Sequence, residues 1–243
     1  MPPRPAFQSE VVDIIQATPN TRRFVLKMHT EQPFGFRAGQ FITLDLPIHE
    51  QPTKRLRSYS IASSPTDGLV ELVIVLNESG LGTPYLFNEV RVGSMLSTMG
   101  ALGRFLMPDV LDKPICFVCT GTGIAPFRSM IRYIYQNKVS HRGIYLICGS
   151  RYESDLLYVD EMRQMEQDLE GFVYIPTLSR EKSAYWTGKM GYVHGVYEEL
   201  FDKKPLKPCY FYLCGWDSML KETRQRLQEM GYSQQDVHFE RYG

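Results

Sequence analysis

The rhythm of the chain changes once, at Pro108-Asp109-Val110-Leu111-Asp112-Lys113-Pro114, and that change restricts the fold more than any other feature. Before it, short apolar runs recur with turn residues between them. Residues 11–16, 21–28, 40–46, 55–62 and 69–76 are predicted strands, several with the alternation of a half-buried sheet. Pro33-Phe34-Gly35 and Pro65-Thr66-Asp67-Gly68 separate them. A short helix is expected over 83–90 and a further strand over 94–99. Repeated short strands of this kind predict an antiparallel β-barrel.

After the change, apolar runs alternate with helical patterns. Strands are predicted at 115–120, 143–149, 172–178, 210–214 and 237–242, and helices at 124–138, 155–169, 194–201 and 217–230. Such alternation predicts a parallel sheet with helices on both faces. In the last helix Asp217 is placed as the cap, Glu222 and Arg226 sit one turn apart, and Gly231 is set to end it. The expected organisation is two-domain: a barrel over 1–109 and an α/β domain over 110–243.

Composition narrows the function classes. The chain holds 27 basic and 27 acidic residues, split ten and ten up to Asp109 and seventeen and seventeen beyond it. That balance removes a whole-chain argument for binding nucleic acid or a membrane surface. No apolar run approaches the roughly 18–20 residues that span a bilayer, and Met1-Pro2-Pro3-Arg4-Pro5 lacks the apolar core of a secretory signal. A cytoplasmic protein is expected. Cys116 and Cys119 have the spacing of a zinc or redox pair, but they fall in a predicted strand. Positions three apart on a strand face opposite ways, so the pair is read as core packing. The other three cysteines do not complete an iron–sulfur set, the five histidines show no ligand spacing, and no metal is expected.

Arg57-Ser58-Tyr59-Ser60 lies in the fourth predicted strand, where alternation puts Arg57 and Tyr59 on one face and Ser60 on the other unless the strand bends. A guanidinium donates two parallel charge-assisted hydrogen bonds to a diphosphate. A tyrosine stacks on a flat ring, and a serine donates to a ring nitrogen. These groups suit a flavin; an edge strand with a surface arginine accounts for the same residues. Gly80-Leu81-Gly82-Thr83-Pro84-Tyr85-Leu86 adds two glycines at which backbone approaches a phosphate, with Thr83 opening a helix. A plain helix start after a hairpin is the alternative there.

Thr120-Gly121-Thr122-Gly123-Ile124-Ala125-Pro126 leads an apolar strand into a helix through a glycine turn, the usual cradle of a pyrophosphate. Pro126 takes the place of the third glycine of the dinucleotide fingerprint and fits the helix's first turn. A tight strand–helix turn with no ligand has the same look. Gly149-Ser150-Arg151 and Thr177-Leu178-Ser179-Arg180 follow the next two strands, and Lys189 comes shortly after. Arg151, Ser179, Arg180 and Lys189 can clamp a dianion such as the 2′-phosphate of NADP; solvated loop cations are the alternative.

In this order and at these intervals, R-x-Y-S, G-x-x-[ST]-x-x-L, T-G-T-G-I-A-P and Cys214-Gly215 resemble the ferredoxin–NADP(+) reductase family over residues 7–242. The resemblance implies an FAD-binding barrel followed by an NADP-binding α/β domain. It implies that Arg57, Ser58, Tyr59 and Ser60 bind FAD, with Arg57 on the diphosphate, Tyr59 stacked on the ring and Ser60 facing N5. Gly82 and Thr83 are implied to hold the FAD pyrophosphate, and Thr120, Gly121, Thr122 and Gly123 to receive that of the nicotinamide nucleotide. Arg151-Tyr152-Glu153-Ser154-Asp155-Leu156 is similar to bacterial NADP-specific members. Val237-His238-Phe239-Glu240-Arg241-Tyr242 is similar to the family's ending. There Tyr242 covers the flavin at rest, Glu240 works with Ser60 on the proton at N5, and Cys214 lies beside the nicotinamide C4. Gly243 follows the tyrosine, a departure from the plant-type pattern.

The function this implies is electron exchange between NADP(H) and a one-electron carrier, ferredoxin or flavodoxin. A reductase component of an oxygenase, or a flavin or quinone reductase, is a second reading. A non-catalytic flavin-binding subunit is a third, from another class.

Overall fold

The computed structural model describes residues 6–201 and 206–242; residues 1–5 and Gly243, both noted above, lie outside the described residues. The chain divides into two compact units, Met1–Leu106 with Arg128–Gln136, and Met107–Phe127 with Asn137–Gly243.

The first unit contains β1 (Phe7–Thr18), β2 (Thr21–His29), β3 (Phe41–Asp45), β4 (Leu56–Ser60), β5 (Val70–Val75), α1 (Gly82–Asn88) and β6 (Met95–Leu102). Its strands form one antiparallel sheet in the order β4-β3-β6-β1-β2-β5. The ends of the sheet meet just past β4, where the Ala62 amide donates to the Glu71 carbonyl of β5 at 2.8 Å. The sheet thereby curls into the expected barrel. Alternation fills its interior with Val11, Phe24, Leu26, Ile42, Leu44 and Leu72, all at most 1% exposed. Burying each such side chain contributes about 1.5–3 kcal/mol.

The second unit follows the predicted alternation: β7 (Ile115–Thr120), α2 (Ile124–Asn137), β8 (Ile144–Ser150), α3 (Val159–Asp168), β9 (Phe172–Leu178), β10 (Lys189–Met190), α4 (Val193–Phe201), β11 (Tyr210–Gly215), α5 (Asp217–Met230) and β12 (Val237–Arg241). The sheet is parallel throughout, in the order β10-β9-β8-β7-β11-β12. Strand order therefore reverses between β7 and β11, and the crevice beyond their carboxyl ends is where open α/β sheets hold ligands.

Helices cover both faces. Phe117, Leu146 and Tyr174 are in register on one face, where Phe117 meets Phe127 of α2 at 4.8 Å and Arg163 of α3 lies over Tyr174. Val118, Ile147 and Leu213 point the other way and pack against α4 and α5 through Val196, Tyr197 and Leu220. Cys116 belongs to this second face with Cys209, whereas Cys119 faces Cys148 at 3.2 Å. The two thiols of the C-x-x-C spacing are thus separated by the sheet. No group of three or more metal-ligating side chains occurs among the described residues. No described helix is long and apolar enough to cross a membrane.

Three local expectations are corrected. α3 starts at Val159 instead of residue 155, because 153–155 form a separate 3-10 turn and Tyr158 then adopts a left-handed φ of 57°. Asp217 is not the cap of α5: Trp216 occupies that position, and Asp217 is the first helical residue, paired with Lys221 at 2.6 Å. The two-residue β10 was not predicted, being too short to show a pattern. Gly231 does end α5, with a φ of 104°, and Arg226 bonds Glu222 as spaced.

Candidate functional site

The first unit gathers part of the predicted set around β4. Arg57 pairs with Leu44 and Tyr59 with Ile42, two positions apart, so both side chains leave the same face. Arg57 Nη1 donates to the carbonyls of Lys54 (3.0 Å) and Leu56 (2.8 Å), which fixes the guanidinium. Among the described residues it has no carboxylate partner. Its stem crosses Gly82 so closely that a Cβ there would stand 2.9 Å from Cγ and from Nε. Burial pushes the Tyr59 hydroxyl up to about 12, with the Arg57 charge pulling the other way. A fixed cation without a counter-ion, seated on a glycine beside a half-buried tyrosine, is a donor set that fits the diphosphate and ring of FAD.

Other members of that set are arranged differently. The Ser58 hydroxyl bonds Thr43 Oγ1 at 2.9 Å and so ties β4 to β3. Thr83 Oγ1 donates to the Asn77 carbonyl and accepts from the Asn77 amide, closing the loop before α1. Ser60 ends β4 at 6% exposure, against Phe41 of β3.

In the second unit the glycine turn lies at the reversal of strand order. Gly121–Gly123 form a single 3-10 turn between β7 and α2, with Gly121 at a φ of 53°. A Cβ on Gly123 would lie 2.4 Å from the Cys214 carbonyl oxygen, and one on Gly215 would lie 2.4 Å from Thr120 Oγ1. The glycines therefore let β7 and β11 close upon each other at their carboxyl ends. Thr120 Oγ1 is buried there without a hydrogen-bond partner. An orphaned hydroxyl costs about 1–3 kcal/mol and marks a place where a partner is missing.

The C-terminal strand brings three predicted residues together. Cys214 is in register with Glu240 on β12, and the Tyr242 hydroxyl donates to the Thr122 carbonyl at 3.4 Å. Burial pushes the Cys214 thiol far up, the Glu240 carboxylate adds to this, and the Tyr242 hydroxyl partly offsets it. Burial therefore favours the neutral thiol at Cys214.

The loops after β8 and β9 run side by side. The Ser179 amide donates to the Ser150 carbonyl and the Arg180 amide to the Arg151 carbonyl, both at 3.0 Å, and Ser179 Oγ also reaches Ser150 O. Neither guanidinium has an ion-pair partner among the described residues. The neighbouring Glu181 carboxylate accepts the amides of Glu153, Lys182 and Ser183, which lower its pKa and occupy its charge locally. Lys189 differs from the pair: Glu199 of α4 holds its ammonium at 2.6 and 2.8 Å. It is the one cation of the predicted set that already has a counter-ion.

Sequence reading missed Arg128, which is 5% exposed and bonds Glu71. The signal was present as a charge inside each of two apolar runs, Ile124-Ala125-Pro126-Phe127-Arg128 and Val70-Glu71-Leu72.

Comparison with known proteins bears on this arrangement. The oxidoreductase FAD-binding domain family matches residues 8–107 and the oxidoreductase NAD-binding domain family residues 117–225. Ferredoxin–NADP reductase B of Sorangium cellulosum is 32% identical over 244 residues, covering 97% of each chain. The chain belongs to the ferredoxin–NADP reductase family. It is therefore an oxidoreductase with an FAD-binding and an NAD-binding domain. A crystal structure of the reductase from Neisseria gonorrhoeae, with bound FAD and NADP, superposes with a TM-score of 0.79 at 26% identity, covering 97% of this chain and 98% of that one. The phenol hydroxylase P5 protein of Acinetobacter pittii is 30% identical across 97% of this chain, which spans 65% of that relative's length.

Proposed function

We propose that this member of the ferredoxin–NADP reductase family uses NADPH and exchanges electrons with a small one-electron carrier protein, a ferredoxin or flavodoxin. The division of labour follows the chain, with FAD held by 1–109 and NADP(H) by 110–243. Arg57 holds the FAD diphosphate with the backbone at Gly82 and Thr83, Tyr59 supports the ring, and Ser60 donates to N5. Bound FAD supplies the conversion between a two-electron hydride and single electrons. Gly121, Thr122 and Gly123 receive the pyrophosphate of the nicotinamide nucleotide, and the orphaned Thr120 hydroxyl and Cys214 shape the nicotinamide seat. Tyr242, resting over the glycine turn, gives way when the nucleotide arrives, and the Glu240 carboxyl would, with Ser60, pass its proton to N5 and regain one from solvent.

The observation that carries the choice of NADP over NAD is the pair of arginines. Arg151 and Arg180 are bridged through their backbones at 3.0 Å, lack counter-ions among the described residues, and stand beyond the carboxyl ends of adjacent strands. A 2′-phosphate dianion meets that requirement, whereas a free ribose hydroxyl does not.

Anaerobic stopped-flow mixing of the purified protein with NADPH and with NADH tests the proposal. Loss of the yellow flavin band, faster with NADPH, is expected. Equal rates with both nucleotides refute the NADP assignment, and a yellow protein that neither nucleotide bleaches supports a non-catalytic flavin-binding subunit. The likeness to the phenol hydroxylase protein favours a second reading, in which the electrons go to an oxygenase component. Steady-state assays with a ferredoxin, a flavodoxin and free quinone as acceptors separate the two.

A further inference from the structure

We infer that Arg128 is a positioning residue for the chain segment that carries Ser60, acting through the Ala62 carbonyl and Glu71. This rests on the reading of Ser60 as the hydroxyl facing N5, and it concerns residues that all belong to the first unit, since 128–136 of α2 are part of it.

The segment after β4 leaves the ladder, and its polar groups find other partners one by one. The Ile61 amide donates to the Gln40 carbonyl and the Ala62 amide to the Glu71 carbonyl, at 2.9 and 2.8 Å. Ser63 Oγ accepts from the Glu71 amide at 3.0 Å, and the Ser64 amide donates to Asp67 Oδ2 at 2.8 Å. Against this segment stand three side chains spaced four apart on α2. Arg128 Nη1 donates to the Ala62 carbonyl at 2.9 Å and to Glu71 Oε1 at 3.2 Å. Arg132 grips Asp67 with Nε (3.1 Å) and Nη2 (2.8 Å), and Gln136 bonds both Asp67 and Thr66. Spacing of four along a helix puts all three on one face.

The first rung is the costly one. The side chains of Arg128 and Glu71 are 6% and 10% exposed, and Arg23 holds the same carboxylate from β2 at 2.9 and 2.7 Å. One carboxylate thus holds a buried guanidinium, Arg128, and a partly exposed one, Arg23. Hydrophobic residues of equal volume are often at least as stable at such places. What they cannot supply is a donor for the Ala62 carbonyl, two residues from Ser60, while also orienting Glu71, whose backbone pairs with the same segment. The segment that follows Ser60 is thus held by a hydrogen bond from outside the sheet.

The experiment compares wild-type holoprotein with Arg128→Met, with Arg128→Met/Glu71→Gln and with Arg128→Lys. Hydrogen exchange at residues 61–64 is read on each, together with melting temperature and NADPH-driven bleaching per bound flavin. Arg23 still holds Glu71 in Arg128→Met, and the double variant removes that charge pair as well, so the two melting temperatures separate the loss of the ion pair from the loss of the bond to Ala62. The double variant's amides at Ile61, Ala62 and Ser64 still exchange at least about tenfold faster than wild type, because their anchor is gone. Its bleaching slows about tenfold, while the NADPH concentration for half-maximal rate stays within about twofold. Arg128→Lys, which keeps the charge without the fork, lies between.

A double variant with wild-type exchange and wild-type bleaching overturns the inference, as does a rate that follows the melting temperature across the variants. A change confined to the NADPH concentration dependence also overturns it, by placing Arg128 in nucleotide binding. If the wild-type protein is not bleached by NADPH, the functional reading fails on its own, and the exchange comparison still decides whether Arg128 anchors the segment.

Discussion

Gly123 and Gly121 lie two residues apart in the same turn, yet alanine at the two positions should produce different defects. A Cβ on Gly123 would stand 2.4 Å from the Cys214 carbonyl oxygen, 2.8 Å from its carbon and 3.1 Å from the Gly215 nitrogen. All three are backbone atoms, so no side chain can swing aside. Restoring ordinary contact of about 3.5 Å requires the end of β11 to retreat by about 1 Å. Overpacking of this kind costs about 1–3 kcal/mol, which lowers the melting temperature of a chain this size by about 2–12 °C. The displaced backbone carries Cys214 and, through the register of β12, Glu240. A misplacement of about 1 Å at a reacting centre lowers a rate by up to about 100-fold, so Gly123→Ala should lower kcat at least about tenfold.

Gly121 has nothing within 4 Å of where its Cβ would be, and its φ of 53° is strained for alanine by only about 1–2 kcal/mol. The new methyl projects into open space, the side on which the proposed reading seats the pyrophosphate. Gly121→Ala should therefore raise KM for NADPH and leave kcat nearly unchanged. Calorimetry and steady-state kinetics on both variants decide the matter. A wild-type melting temperature and kcat for Gly123→Ala, or a kcat defect in Gly121→Ala with KM unchanged, refutes the reasoning.

Four further outcomes are expected. Arg180→Ala should raise KM for NADPH about tenfold, the lower end of what a charge-assisted bond is worth at an exposed site, and leave KM for NADH within about twofold. Lys189→Ala, whose ammonium already belongs to Glu199, should change either constant less than about twofold; a larger rise than for Arg180→Ala would show that the lysine leaves its partner for the nucleotide. Removing Tyr242 and Gly243 should tighten nicotinamide nucleotide binding and improve use of NADH, read by flavin difference spectra; unchanged spectra would show that Tyr242 does not rest over the nicotinamide seat. Burial favours the neutral form of Asp67, but hydrogen bonds from Arg132, Gln136 and the Ser64 amide outweigh it and lower its pKa. A carboxylate depressed in the folded state contributes stability above its unfolded value of 3.8. That contribution is lost as pH falls through 3.8 and the lower folded value. Asp67→Asn should flatten the acid limb of the stability–pH curve, and an unchanged limb would assign it to other groups.

Much of this molecule was legible in its sequence because two periodicities are written plainly in it. Ile115–Thr120, Phe172–Leu178 and Asp217–Met230 begin and end where the apolar runs and Gly231 place them. What escaped prediction depends on partners distant in sequence. Asp217 has the chemistry of a cap, but the chain turns one residue earlier and Lys221 takes the carboxylate. The Thr83 hydroxyl is taken by Asn77, a partner that only the folded loop brings to it. Lys189 reads as the third member of a cationic set, and only α4 reveals Glu199 beside it. Glu71 and Arg128 are 57 positions apart, and no local pattern joins them.

The membership of α2 also bears on how this chain can be taken apart or recombined. A cut after Asp109, the natural place to divide it by rhythm and composition, severs residues 128–136 from the unit that holds them. The excised barrel would retain Glu71 and Asp67 but lose Arg128, Arg132 and Gln136. Exchanging the α/β half for that of a relative would bring a foreign helix to the same carboxylates. A chimera of this kind should be designed with its first crossover after Gln136, or with Arg128, Arg132 and Gln136 grafted onto the incoming helix.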